Sequence, residues 1–413
     1  MLMLETSIQP PTNVEASLFS INTLASSLPG MGRLLALERA RLALEAFQDE
    51  YVARVVAGVA ELVCERKGCG VVHRGGGTIL RRGKRMRKLK TSSGVLEFAL
   101  KQVTCRDCRR TWSPFGQMLG LQPRQRIAEE LERKLVECVT DLPYGKTCRL
   151  AEAWLGASVS PRTLHKHVQE RGSKVCFTPA EPTAVVVADG TKVPAGSSER
   201  GMEVRFSFQI IGRSEVHGRT AVQKRIAGWS TGTGGWKQAL TPGIATEVIV
   251  TDREKGLPEL LAKRFPNVRH QHCEWHLCHT LNHLLYLDGV KLDERKQWKA
   301  ELGKIVWGKT ITNRRERYAA LCSQLAKYKK AHTMLVDAKE SVLFDVPSRE
   351  RTTSVIEREM REINRRSDVG VRWSERGIDN LLRLRAAKRI NKDDFERVWS
   401  PAPTTTNWTV PLA

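Results

Sequence analysis

Apolar and polar positions change their rhythm several times along the chain, and each change marks a different element. Residues 1–32 are Ser- and Pro-rich without periodicity and read as a flexible N-terminal tail. From Arg33 to about residue 63, Leu37, Leu44, Phe47, Tyr51, Val55 and Val59 recur at helical spacing and predict one or two helices. Residues 64–122 form a cysteine-bounded module with strand-like alternation, and 123–177 return to helix. A Pro/Ala hinge, Thr178-Pro179-Ala180-Glu181-Pro182, precedes a strand-rich stretch from 183 to about 275. Helical periodicity resumes over about 277–348, and an Arg-rich helical segment carries the last region to 392. The tail, 400–413, is low in complexity and reads as disordered. The alternation of strand and helix predicts an α/β multidomain chain.

Two strands stand out. Ala184-Val185-Val186-Val187-Ala188 runs into Asp189, and Val248-Ile249-Val250-Thr251 runs into Asp252. Short β-branched runs bounded by turn residues are the signature of strands buried on both faces. A carboxylate ending such a run is costly to desolvate without a cation or a hydrogen-bond donor. If the strands are parallel neighbours, Asp189 and Asp252 lie side by side, and a divalent metal relieves their repulsion. The pair points to metal-dependent phosphodiester chemistry.

Composition narrows the partner. The 413 residues carry a net charge of +23, and basic residues occur in every region. An imbalance of this size calls for a polyanion rather than a merely solvated surface. No stretch approaches 18 consecutive apolar residues, and the N-terminus lacks the charged-then-apolar order of a secretion signal. The expectation is a soluble protein without membrane partners, cytoplasmic and nucleoid-associated. Ten cysteines in such a chain suggest metal ligation or burial rather than disulfides.

Cys64-x4-Cys69 and Cys105-x2-Cys108 are two pairs of thiols able to wrap one cation, so a structural Zn²⁺ ribbon is expected over 64–122. Between them, residues 81–90 hold seven basic residues in ten. Arg81, Arg82, Lys84, Arg85, Arg87 and Lys88 are therefore expected to meet DNA phosphates. Within 123–177, Lys146 to Leu155 reads as a helix that Gly156 can break. Ser160 offers an N-cap and Pro161 suits the first position of a second helix. That spacing fits a helix-turn-helix, with Arg162, His165, Lys166 and Gln169 as the base-reading face.

Five of the ten histidines fall between His270 and His283. Cys273-x2-His276 in this cluster reads as a partial zinc site, as part of the vicinity of the acidic pair, or, for Cys273, as plain burial. A third carboxylate is expected from the stretch Thr352 to Arg366, which offers Glu357, Glu359 and Glu362, the last well off the inward stripe and the weakest candidate. Helical geometry slightly favours Glu359, which lies nearer the inward stripe of Ile356, Met360 and Ile363. In the insertion, Trp298 and Trp307 are expected as core residues.

Asp189-Gly-Thr-Lys, Thr251-Asp252, Cys273-x2-His276 and Thr352-Thr353-Ser354-x2-Glu357-Arg358, in this order, resemble prokaryotic insertion-sequence transposases of the Mutator-like group. These are DDE enzymes with an RNase H-like catalytic core. The resemblance implies such a core over 183–392 with a helical insertion at about 277–348, preceded by the zinc ribbon and a helix-turn-helix domain. It assigns the third acid to Glu357 rather than Glu359, with Ser354 where the family more often has Asn. It implies two Mg²⁺ (or Mn²⁺) ions held by Asp189, Asp252 and Glu357, terminal inverted repeats and target DNA as partners, and a homo-oligomer on DNA. The competing classes are a non-catalytic DNA-binding regulator or domesticated transposase, and another RNase H-like nuclease. Intact acids at all three positions argue against the former, and the N-terminal DNA-binding load against the latter.

Overall fold

A computed structural model describes residues 21–399, apart from 65, 67, 123, 181–182, 200, 233–234, 241–245, 253, 255, 308–311 and 344–349. Residues 1–20 and the 400–413 tail lie outside the described residues. The chain divides into two compact units, residues 1–139 with 143–165, and residues 140–142 with 166–413.

The first unit opens with a long helix, α1 (Ile21–Val56), so residues 21–32, expected as part of a flexible tail, are helical even with Pro29 inside. The helix ends at Val56, before the expected end near 63: Gly58 adopts a φ of 76°, which suits glycine, and Val59 is exposed rather than on the apolar stripe. Tyr51, Val52 and Val55 pack with Phe98, Leu100, Val103 and Phe115. The short strands β1 (Leu62–Val63) and β2 (Val72–His73) pair antiparallel. A three-stranded sheet follows, β3 (Ile79–Thr91), β4 (Gly94–Cys105) and β5 (Thr111–Trp112), in the order β3-β4-β5. The basic run lies on β3, an edge strand, where dense positive charge also discourages edge-to-edge pairing. Helices α2 (Pro114–Met118), α3 (Glu129–Val139), α4 (Tyr144–Leu155) and α5 (Pro161–Gly172) complete the stretch. Gly156 caps α4 in the left-handed region at φ 64°, and the Ser160 hydroxyl accepts from the Thr163 N–H at 3.2 Å to open α5. The boundary between the units falls within α5, after His165.

The second unit is built on a five-stranded mixed sheet: β6 (Val185–Val193), β7 (Met202–Val216), β8 (Arg219–Thr231), β9 (Val248–Thr251) and β10 (Arg269–His272). Its order is β10-β9-β6-β7-β8. β6, β7 and β8 form an antiparallel meander, while β9 joins the other edge of β6 in parallel and β10 joins β9 in parallel. β6 and β9 are apolar throughout their shared length because they lie inside the sheet; Val185 to Ala188 and Val248 to Val250 are all buried. Short helices α6 (Gly235–Ala239) and α7 (Leu257–Arg264) cover one face through Trp236, Leu240, Leu257 and Leu261.

After β10 the chain makes a helical excursion: α8 (Glu274–Leu287), α9 (Leu292–Val306), α10 (Thr312–Gln324), α11 (Lys329–Ala338) and a 3-10 turn at Lys339–Ser341. It has a core of its own, in which Leu277, Leu281, Leu302, Tyr318 and Leu335 are fully buried. Trp298 packs against that core, whereas Trp307 is 54% exposed and does not belong to it. The chain returns through α12 (Ser354–Ser367), α13 (Glu375–Arg389) and α14 (Lys392–Arg397). Among the described residues no helix is long and apolar enough to cross a membrane.

Candidate active site and metal centre

β6 does not stop at Asp189, as its apolar run suggested. Gly190 to Val193 go on pairing with Arg205 to Met202 of β7, so Asp189 lies inside the strand, just past the stretch that pairs in parallel with β9. The last β6–β9 pair is Val187 with Val250. Asp189 stands two residues beyond that pair within β6, and Asp252 is the first residue after β9; the two carboxylates are close enough for the charge of Asp252 to act on Asp189.

Asp189 is 5% exposed, and its Oδ1 accepts the Gly190 N–H at 2.8 Å. Burial, followed by the charge of Asp252, raises its pKa to about 6. Burial likewise raises the pKa of Asp252, which His276 opposes. The loop after Asp252 is held by Glu254, whose N–H donates to Asp252 Oδ1 at 3.3 Å and whose carboxylate accepts from Arg205 (2.9 Å) and Trp236 Nε1 (2.7 Å). Burial works to raise the Glu254 pKa, but these bonds hold it below its usual value.

The Cys-His segment belongs to this neighbourhood. Cys273 follows β10, with its N–H donating to Thr251 O at 2.7 Å, and His276 sits in the first turn of α8. Burial opposes a charge on His276, yet Cys273 and the two aspartates raise its pKa to about 9. The direction of this shift favours positive charge on His276 beside the carboxylate pair. Thr353, fully buried at the start of α12, joins the parts: its Oγ1 lies 3.2 Å from His276 Nδ1 and 3.5 Å from Cys273 Sγ. Its hydroxyl also helps hold the Asp189 pKa down against burial. Sequence reasoning quoted Thr353 only as part of a motif; a buried hydroxyl one turn before a candidate acid was the signal available.

Of the three glutamates of α12, Glu362 pairs with Arg365 (2.6 Å) and Arg385 (3.5 Å), and the other two separate cleanly. Glu359 is 8% exposed and paired with Lys224 (3.1 Å) and Arg389 (3.2 Å), which makes it a packing residue. Glu357 is half-buried in the first turn, its N–H bonded to Thr353 O at 3.2 Å, and has no ion-pair partner among the described residues. Among those residues, Asp189, Asp252 and Glu357 do not close into a group whose ligand atoms all lie within 4.8 Å of one another. Asp189 and Asp252 nonetheless fit a hard divalent cation: two buried carboxylates close enough for their charges to oppose each other. Asp252 and Glu254 also line an open cleft of about 620 Å³, together with Lys329 and Lys330 of α11.

The first unit contains a second cluster. The ligand atoms of Cys64, Cys69, Cys105 and Cys108 all lie within 4.8 Å of one another, with Cys64 and Cys108 sulfurs 3.6 Å apart and Cys69 and Cys105 sulfurs 3.9 Å apart. Tetrahedral Zn–S bonds of about 2.3 Å require sulfurs about 3.8 Å apart, so the four thiols could hold structural zinc. Each knuckle turns through a left-handed residue, Gly68 (φ 84°) in the looser pair and Arg109 (φ 56°) after the tighter one. Burial drives the Cys64 thiol up to about 12 and raises Cys105, while the Arg110 N–H draws Cys108 down to about 6.

The expected base-reading face of α5 divides. Arg162, His165 and Lys166 are exposed, His165 beside the Tyr144 ring and Lys166 paired with Glu170. Gln169 instead donates to Gly377 O (3.1 Å) and accepts from Asn380 Nδ2 (2.7 Å). Both ends of its amide are committed to α13, so it leaves the base-reading set.

Residues 64–384 match the model of a family described as Transposase, Mutator family, which is well over half of the chain. No curated protein matches it.

Proposed function

The chain belongs to the Mutator family of transposases, and from that premise we propose that it is a DDE enzyme that cuts DNA at the ends of its own element and joins those ends to target DNA. The observation that carries this reading is that Asp189 and Asp252, just beyond the last β6–β9 pair, are buried close enough for one charge to raise the pKa of the other. Support for an RNase H-like core comes from the sheet order, an antiparallel meander with two parallel strands added at its first strand. Glu357 is the third acid, since Glu359 is engaged by Lys224 and Arg389.

Asp189, Asp252 and Glu357 would hold Mg²⁺ or Mn²⁺, which when bound supplies Lewis-acid activation of a water or 3′-hydroxyl and stabilises the departing oxygen. The protein's own part is orientation. The Gly190 N–H fixes Asp189, the Glu254 loop fixes Asp252, and Thr353 ties the start of α12 to His276. The exposed residues Arg162, His165 and Lys166 of α5 are the base-reading candidates, and the cysteine cluster, as a zinc ribbon, would keep the basic hairpin rigid.

The test uses the purified chain with Mg²⁺ or Mn²⁺ and a duplex carrying the inverted repeats that flank its gene. Strand cleavage at the repeat boundary, followed by joining to a second duplex, is the expected result. Metal-dependent binding without any cleavage would overturn the catalytic reading in favour of a regulator.

A further inference from the structure

The basic run of β3 does not act as one patch. At the bulge between Arg81 and Gly83 it divides, and Arg81 and Lys84 line a recess that also contains Asp49 and Lys101, themselves paired at 2.9 Å. The other part faces a groove of about 680 Å³ between the β3–β4 hairpin and the loop at 124–126. Arg85, Arg87, Lys88, Lys90, Arg124 and Arg126 line it, against a single carboxylate, Glu97, which Lys88 already pairs at 2.6 Å.

The loop is held against the strand. Arg87 donates to Gln125 O at 3.0 Å, the Lys90 N–H donates to Arg126 O at 2.9 Å, and the Gln125 side chain closes the loop onto Ile127 O and Gln122 N. Arg124 sits at φ 62°, a left-handed conformation that an arginine adopts at a cost. The loop thus spends backbone strain to aim a guanidinium into a space already crowded with cations. Among the described residues Arg85, Arg124 and Arg126 have no ion-pair partner. Lys90 reaches the carbonyl of Ser158, two residues before the Ser160 that opens α5, so the groove ends beside the turn between α4 and α5.

We propose that this groove seats the sugar-phosphate backbone of duplex DNA, with Arg85, Arg124 and Arg126 contacting phosphates while the exposed start of α5 meets the bases. Guanidinium groups match phosphate oxygens through paired N–H donors, and six cations set against one carboxylate that is already paired suit a polyanion. The proposal rests on the DNA-acting reading above and moves the phosphate contacts from the whole 81–90 run to a groove completed by two arginines outside it.

The experiment measures binding of the full chain to a labelled random-sequence duplex across a salt series. Replacing two phosphate contacts should lower the slope of log affinity against log salt by about 1.8. Arg124→Gln with Arg126→Gln should therefore show about tenfold less affinity loss than the parent between about 50 and about 200 mM salt. Arg124→Lys with Arg126→Lys should restore most of the slope, and unchanged zinc content and melting temperature would show that the fold is intact. An unchanged slope in the glutamine variant overturns the proposal. So does a variant weakened on duplex RNA but not on duplex DNA. Cleavage is read separately: a parent that keeps the groove-dependent slope but never cleaves overturns the proposed function and leaves the groove standing.

Discussion

Thr353 Oγ1 and His276 Nδ1 lie 3.2 Å apart, and this one hydrogen bond links the first residues of α12 to the first turn of α8 beside the two aspartates. The contact is buried on the threonine side, so losing the hydroxyl leaves an unpaired polar atom at a cost of about 1–3 kcal/mol. Thr353→Val should lower cleavage and raise the Mg²⁺ concentration needed for half-maximal rate. Thr353→Ser, which keeps the hydroxyl, should recover both. Titrating metal in a cleavage assay distinguishes this from simple destabilisation, which would leave the metal requirement unchanged.

Asp189→Asn should reduce metal-dependent cleavage by about 10³-fold, the scale of several kcal/mol of lost charge stabilisation. It should at the same time stabilise the metal-free protein. The Asp189 pKa is raised to about 6, so the stability this group contributes is full below about pH 4 and is lost as pH rises through about 6. Melting curves of the parent should fall over that window, and those of the asparagine variant should fall less. Added Mg²⁺ should raise the melting temperature of the parent near neutral pH and leave that of the variant nearly unchanged.

Glu357→Gln and Glu359→Gln should have opposite signatures. The first removes a half-buried acid without an ion-pair partner among the described residues, so turnover is lost and thermal stability holds. The second leaves the Lys224 and Arg389 cations facing an amide, costing about 1–3 kcal/mol and lowering the melting temperature by several degrees. If Glu357→Gln cleaves normally while Glu359→Gln is stable and inactive, the assignment of the third acid is reversed.

Zinc uptake by the cysteine cluster should be steeply dependent on pH. Near neutrality Cys108, drawn down to about 6, is already largely thiolate, while Cys64 and Cys105 are held protonated by burial. Binding must expel at least the protons of these two thiols, so affinity should rise about 100-fold or more per pH unit. Competition with a chelator between pH 6.5 and 8 measures the slope, and Cys64→Ser should abolish stoichiometric zinc.

Local chemistry was readable from sequence, and tertiary commitments were not. Ser160, Pro161 and Gly156 define the ends of α4 and α5 through their own backbone preferences, and the two valine-rich runs could only be buried strands. The continuation of β6 past Asp189 depends on β7, which no local signal announces. Gln169 sits correctly on its helix, yet its partners on α13 lie more than 200 residues away in the chain. Glu359 looked catalytic by helical geometry because burial draws a structural acid inward as readily as a reactive one. Residues 21–32 lack periodicity yet continue the helix that follows them. Arg124 and Arg126 carried no pattern at all; only the folding of their loop onto β3 joins them to the basic strand.

The helical excursion leaves and rejoins the sheet at one point. Cys273 and Thr353, 80 positions apart, touch through the Cys273 sulfur, and the Glu274 N–H donates to Arg351 O at 3.1 Å. The excursion begins and ends on neighbouring atoms and carries its own core between them. Its length is therefore decoupled from the geometry of the aspartate pair, because a loop whose ends meet adds closure entropy only slowly as it grows. The junction behaves as a socket: helices could be lengthened, shortened or exchanged there while the strands beneath keep their register.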